Sequence, residues 1–319
     1  MQALTKNHQG EDMLRTMTER AFGKDAYSSH KELTEGYFNA AYLVTLADGR
    51  EVILKIAPPK DVRVMRYEKG IMHAEIEAMQ RVEKAEGIPA PKVLYADESG
   101  QVCPSSYFFM EKLRGNSLNS VREELSEETI AAAHEESGRI CASINAMSCP
   151  RFGYPGQSDH QKDEWLPMFR EMLHMAFEDA CDGNVEEPVT EEELFKLLER
   201  DEAAFYAVKE PKLVHWDLWD GNLFVENGAV TGVIDWERCL WADPLMEVGF
   251  RTYDNDKSFL RGYGIGELSD EQHTRALWYD IYLLLLMSLE TEYRKYEGDG
   301  FHMWCTGLLR QQLEVLRAR

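Results

Sequence analysis

Several things are scarce or missing in this sequence, and each absence closes a class of function. There are six cysteines in 319 residues, at 103, 141, 149, 181, 239 and 305, and no two form a C-x-x-C pair. That excludes the usual zinc-ribbon spacing, and a disulfide framework is not expected in a chain of this length. No apolar run approaches the ~20 residues that cross a bilayer. The greasiest stretch, Ile281–Leu289, reads as a buried helix. Residues 1–20 are polar with no apolar core of a signal peptide, so the chain is expected in the cytoplasm with reduced thiols. Basic residues are few, 35 against 57 acidic, for a formal charge of −22. Such a chain is a poor partner for phosphate backbones, which need Lys and Arg to neutralise them. Neither nucleic acid nor membrane is an expected partner. There is no internal repeat, no G-x-x-x-x-G-K-[ST] loop, no H-E-x-x-H and no G-x-S-x-G. Gly262-Tyr263-Gly264-Ile265-Gly266 fails as a dinucleotide fingerprint because Glu267 follows and no strand precedes it; it reads as a loop.

What is present is a globular chain. Hydrophobic residues make up 44%, enough for a core, and the length suits two lobes. The apolar spacing in Glu11–Phe22 predicts a helix. Ala41–Leu46 and Glu51–Ile56, joined through Asp48-Gly49, predict a hairpin. A helix is expected from Val64 to Lys84, stopped by Gly87 and Pro89. Lys92–Tyr95 and Tyr107–Met110 are two further strands. Helices are expected over Glu127–Ala146, Glu164–Asp179, Glu191–Val208, Asp270–Tyr296 and Trp304–Arg319. The expected fold is α+β and bilobal: a small antiparallel sheet with one long helix in residues 1–112, and a larger helical lobe in 113–319. The linker falls in Glu111–Gly115. Ligand sites favour the cleft between such lobes.

The chemistry concentrates in Lys212–Glu237, KLVHWDLWDGNLFVENGAVTGVIDWE. After the short apolar pair Leu213-Val214 come His215-Trp216-Asp217 and then Asn222. A strand at Leu223–Val225, a turn at Glu226-Asn227-Gly228 and a strand at Thr231–Ile234 form a hairpin. It folds Asp235 back towards Asp217 and Asn222. Phosphoryl transfer asks for this set: a carboxylate to take the proton of the attacking hydroxyl, and oxygen ligands to hold magnesium against nucleotide phosphates. H-x-D-x-x-x-x-N followed by a later Asp parallels the catalytic loop and metal-binding Asp of protein kinases.

Two departures from protein kinases, Trp216 in place of Arg and Trp236-Glu237 in place of Phe-Gly, narrow the likeness. His215-Trp216-Asp217…Asn222-Leu223, Ile234-Asp235-Trp236-Glu237 and Asp243-Pro244 resemble the aminoglycoside phosphotransferase and choline kinase superfamily, whose fold is protein-kinase-like. The resemblance spans about residues 33–250. It implies that Asp217 is the catalytic base and that Asn222 and Asp235 hold Mg²⁺. His215 then orients the loop, and Asp243 braces it. Ala242 stands where the family has Gly.

The same resemblance implies an ATP- or GTP-binding first lobe. Lys55, in the apolar strand Val52–Ile56, matches the phosphate-binding lysine, and mid-strand burial of a lysine demands a partner. Glu75 in Glu75-Ile76-Glu77-Ala78-Met79 is the expected partner, with Glu77 as the reserve. Thr34–Asn39, with Gly36 and Asn39, is the expected phosphate loop. Met110, Glu111 and Leu113 match the hinge that meets the base, with backbone groups of Glu111 and Leu113 binding it. The acceptor is a small hydroxyl compound. The charge of −22 and the acids Asp220, Glu237, Glu290 and Glu292 favour an amine-bearing one. Choline, homoserine or another alcohol remains open as acceptor, as does a catalytically silent nucleotide-binding protein on this fold.

Overall fold

The computed structural model describes residues 5–34, 36, 38–85, 87–253 and 256–319. The chain opens with helix α1 (Glu11–Phe22) and strands β1 (Tyr27–Leu33), β2 (Ala40–Leu46) and β3 (Glu51–Ile56). Helix α2 (Ile71–Val82) and strands β4 (Val93–Asp97) and β5 (Tyr107–Glu111) follow. The strands form one antiparallel sheet in the order β1-β2-β3-β5-β4. Strand alternation gives the sheet two unlike faces. Val52, Leu54, Ile56, Tyr107 and Phe109 pack with Leu14 and Met17 of α1 in one core. Phe108 and Met110 face α2 and join the larger core that runs into the rest of the molecule. Lys55 follows Leu54 by one residue, so it too points towards α2.

The remainder is mainly helical. It comprises β6 (Asn116–Ser117), α3 (Leu118–Val121), α4 (Glu127–Asn145), α5 (Trp165–Gly183) and α6 (Glu191–Asp201). Then come β7 (Lys212–Val214), β8 (Leu223–Glu226), β9 (Ala229–Val233), β10 (Leu240–Ala242), α7 (Lys257–Tyr263), α8 (Asp270–Arg294) and α9 (Gly300–Arg317). The β8–β9 hairpin pairs with β6, and β7 pairs with β10. Helix α8 is buried without a break from Thr274 to Leu286, which accounts for the apolar run. Among the described residues no helix is long and apolar enough to cross a membrane.

Strand β1 was not expected and several boundaries differ from expectation, among them α5, which runs on to Gly183, and α9, which starts at Gly300. Strand β1 has alternating polar residues and no apolar stripe, so its pattern is weak. Helix α2 begins at Ile71, not Val64, because Gly70 takes φ 73° and a Cβ there would lie 2.6 Å from the Gly156 carbonyl oxygen. The preceding residues form a short 3-10 turn whose Arg66 and Lys69 carbonyls accept hydrogen bonds from the Gln157 amide at 2.9 and 3.1 Å. Residues Gly262 and Tyr263, expected in a loop, end α7, which stops at Gly264 with φ 82°. Helix α6 ends at Asp201, and a 3-10 turn replaces its expected last turns to Ala207.

Candidate active site

The site assembles where β3, α2 and the β7–β9 region meet. Lys55 Nζ bonds Glu75 Oε1 at 2.6 Å and Asp235 Oδ1 at 2.7 Å. Glu75 is fully buried on α2. Glu77 instead pairs outward with Arg81 at 2.7 Å. Burial alone would lower the Lys55 pKa, but the carboxylates of Asp235 and Glu75 outweigh it and raise it, so the ammonium stays charged. Burial likewise works to raise Asp235, and Lys55 reverses it to a net lowering. Asp235 sits in the left-handed region, φ 66°, at the sharp turn out of β9.

The catalytic segment folds beside it. Ile234 N–H donates to the Asn222 carbonyl at 3.0 Å, which sets the two strand ends together. The Asn222 amide donates to the Asp217 carboxylate and carbonyl, each at 2.9 Å. That leaves the Asn222 side-chain oxygen, Oδ1, available as a ligand. Burial pushes the Asp217 carboxyl up to about 7, against the pull of the Arg238 guanidinium. His215 Nδ1 accepts the Asp217 N–H at 3.2 Å, so its proton is on Nε2, which donates to the Ile234 carbonyl at 3.0 Å. Burial lowers its pKa and keeps the ring neutral, a strut between the two loops.

The brace expected of Asp243 belongs to another residue. Asp243 binds Arg275 Nε and the Tyr279 hydroxyl, each at 2.7 Å, and touches no atom of the 215–222 loop by hydrogen bond. Glu247 does: its carboxylate accepts the N–H groups of Trp216 at 3.0 Å and Leu218 at 3.3 Å, as well as its neighbour Val248 at 3.0 Å. Trp216 has φ 62°, a strained value for a bulky residue, and these bonds hold it there. A sequence signal existed, since Glu247 is a lone acid in the apolar run PLMEVGF, where an unpartnered carboxylate is too costly to bury.

The residues fit a divalent cation. Carboxylate oxygens of Glu75, Asp235 and Glu237 lie within 4.8 Å of one another, and Glu75 Oε2 is buried without a partner. Glu237 was expected at the acceptor, but it sits at this metal end, where its Oε2 accepts the Asn39 amide at 2.8 Å. Asn39 Oδ1 is left buried without a partner. Gly36, with φ 110°, keeps open space where a Cβ would lie, as a loop hugging phosphates requires. Glu35 and Tyr37 of the expected phosphate loop lie outside the described residues. Met110 is buried, Glu111 is exposed with its N–H on the Lys92 carbonyl at 3.0 Å, and Leu113 packs over Gly232.

The other expected acceptor acids do not form a rim. Asp220 is paired to Arg122 and, at 2.8 Å, to His134. Glu290 is buried between Arg238 at 2.6 Å and Arg294 at 3.4 Å. Glu292 pairs with Lys295. Residues two apart on a helix point to different sides, so Glu290 and Glu292 of α8 were never positioned to act together.

Comparisons agree with this architecture. A comparison with curated proteins finds no significant match. Among solved structures, a thermostable mutant of the aminoglycoside phosphotransferase APH(4)-Ia superposes with TM-score 0.67 at 18% identity, covering 96% of this chain and 99% of that one. The streptomycin-ATP-APH(2")-IIa ternary complex gives 0.64 at 14%, covering 95% and 97%. A candidate fructosamine-3-kinase from Thermobifida fusca gives 0.68 at 17%, covering 96% and 100%. The fold is therefore the bilobal, protein-kinase-like one. The profile of the phosphotransferase enzyme family APH matches residues 29–278, well over half the chain, and the protein belongs to that family of enzymes.

Proposed function

We propose that the protein transfers the γ-phosphate of a nucleoside triphosphate to a hydroxyl of a small molecule, with Asp217 as the base. The observation that carries this reading is the junction of two sets. Lys55 is held between Glu75 and Asp235, and the hairpin brings Asp235 next to the Asp217–Asn222 pair. Asp217 takes the proton as the acceptor oxygen forms its bond to phosphorus and the β–γ bridging bond breaks, releasing the nucleoside diphosphate. A carboxyl titrating at about 7 is well matched to that role near neutral pH. Asp235 and the Asn222 side-chain oxygen would hold Mg²⁺, with Glu237 and Glu75 beside them. The ion would supply charge neutralisation at the phosphates. Lys55, Gly36 and Asn39 serve the phosphates, and the backbone at Glu111 and Leu113 serves the base. The division between lobes falls at 112/113.

Neighbours bound to AMP-PNP with hygromycin B, and to ATP with streptomycin, support an adenine nucleotide and a small hydroxylated acceptor for this chain. The six cysteines are free thiols, in keeping with a cytoplasmic protein. The test is Asp217→Asn. Transfer falls by ~10²–10⁴-fold, the usual share of a general base, while ATP affinity measured by calorimetry is nearly kept. A variant with most of the parent's kcat rejects the assignment.

A further inference from the structure

His134, on α4, has an acid on each ring nitrogen. Its Nε2 lies 2.8 Å from Asp220 Oδ1, and its Nδ1 meets Asp256 Oδ2. The side chain is 19% exposed. His73 and His174 also lie near two acids, but their second contacts are loose, at 3.9 and 4.0 Å, and both rings are largely in water. A neutral imidazole carries one N–H and donates to one carboxylate only, which leaves a lone pair against the other. Both carboxylates are satisfied when the ring carries both protons, so the geometry calls for the imidazolium. The charged groups acting on the ring are Asp220, Asp256 and Arg122. The hydrogen bond to Asp220 leads in raising its pKa, with the Asp256 charge in support, against burial and the Arg122 guanidinium.

The two partners belong to different parts of the structure. Asp220 lies in the loop between the base Asp217 and Asn222. There Trp219 N–H donates to the Asp217 carbonyl at 3.0 Å, and Asn222 N–H donates to the Trp219 carbonyl at 2.9 Å. Asp220 thus belongs to the tight turn that spaces the base from the metal ligand. Its carbonyl accepts the Asn119 N–H at 3.0 Å, and its carboxylate accepts the Arg122 guanidinium. Asp256 is the N-cap of α7, where its Oδ1 takes the Ser258 and Phe259 N–H groups at 2.7 and 3.3 Å. Helices α4 and α7 meet backbone to backbone: a Cβ on Gly138 would strike the Phe259 carbonyl, and one on Gly262 the Glu135 carbonyl. His134 therefore stands on a closely packed helix pair and reaches into the catalytic loop.

We propose that His134 is a positioning residue for phosphoryl transfer: as an imidazolium it clamps Asp220 to the α4–α7 pair and so holds Asp217 and Asn222 at their working separation. Loss of one proton breaks one of the two bonds and sets a lone pair against a carboxylate, which releases the turn. A histidine whose folded pKa is raised is held charged below its ordinary ~6.5, and the clamp is lost as pH rises through the higher folded value. Activity on the alkaline side then follows this ring. The inference rests on the kinase reading of the site.

Magnetic resonance and kinetics on the full-length protein keep the two separable. With isotope-labelled histidine, His134 is expected to show both ring nitrogens protonated at pH 7 and to titrate above the ordinary ~6.5, its signals assigned by their loss in His134→Gln. The Trp219 indole N–H, on a side chain 47% exposed and one residue before Asp220, reports the turn. Its resonance shifts with the same midpoint in the parent and not in His134→Gln. ADP release from magnesium-ATP, with water as the acceptor, gives kcat against pH, and the parent falls on the alkaline side at that midpoint. His134→Gln, which like the neutral ring donates to one acid only, removes this limb and lowers kcat at pH 7 by roughly 10- to 100-fold, up to the cost of a ~1 Å misplacement of a catalytic group. Asp256→Asn keeps a cap on α7 but deletes one of the two charges, so midpoint and limb move down together by roughly one pH unit. A ring neutral at pH 7, an indole resonance indifferent to the His134 titration, or a limb that survives His134→Gln or stays in place in Asp256→Asn overturns the inference. Turnover that persists in Asp217→Asn overturns the kinase reading instead, and the two resonances then decide by themselves whether the clamp exists.

Discussion

Glu247 offers the sharpest test of how the catalytic loop is held. Its side chain is 1% exposed, and it accepts three backbone N–H groups, two of them flanking Asp217. Replacing it by alanine strands buried donors, each worth ~1–3 kcal/mol when left unmade, so a loss of roughly 3–6 kcal/mol in folding stability is expected. Glu247→Gln is the finer probe. One amide oxygen still serves Leu218 and Val248, but an NH₂ then faces the Trp216 N–H. The cost should be ~1.5–3 kcal/mol, the range for a hydrogen bond to a charged group. That bond holds Trp216 at φ 62°, so the loop relaxes where the strain is stored. A displacement of about 1 Å in a catalytic group costs ~10²-fold in rate. Glutamine should therefore lower kcat by about that factor while the KM for ATP stays within a few-fold, because Glu247 touches no nucleotide-binding element. Denaturant unfolding and steady-state kinetics on the same preparation measure both numbers. A Glu247→Gln enzyme with parental kcat and parental stability would refute the argument, as would equal losses in kcat and in ATP affinity.

Asp235→Ala should weaken magnesium-dependent ATP binding more than Asn222→Ala, since a carboxylate brings a full charge to the ion and an amide only a dipole; magnesium titrations that rank them the other way reject the ligand assignment. Glu75→Gln should raise the KM for ATP more than it lowers kcat, because it frees Lys55 to swing from its 2.6 Å contact, and an unchanged KM would refute this. Glu187 lines a separate cavity of about 460 Å³ with Ser288, Thr291 and His302, and burial pushes its carboxyl up to about 7. Its neutral form is favoured by the fold, so this contribution to stability is complete below pH ~4.5 and lost as pH rises through ~7, amounting to at most about 3 kcal/mol. Glu187→Gln should flatten that dependence and raise Tm at pH 8, and a Tm profile parallel to the parent's would show that the group does not titrate so.

The parts of the molecule that were legible in advance are those where local pattern and burial coincide. Alternation in EVILKI placed Lys55 among apolar neighbours before any partner was visible. A glutamate on the facing helix was the natural counter-charge. Heptad-like spacing in Glu11–Phe22 and the apolar run near Ile281–Leu289 gave their helices directly. Gly70 shows the opposite case. Helix propensity through residues 64–69 is good, yet the chain turns there because Gly156 and the Gln157 amide press on it from nearly ninety residues away. No local pattern reports a contact of that range.

Charge was the least legible quantity, and the reason is physical. A count of −22 describes the surface field, whereas recognition near Asp217 is set by which charges remain uncompensated inside. Asp220, Glu290 and Glu292 looked available along the chain because their partners, Arg122, Arg238 and Lys295, are assigned only by folding. Pairing removes these acids one by one. The acceptor's charge must be read from the groups that folding leaves free near the site and not from the sum.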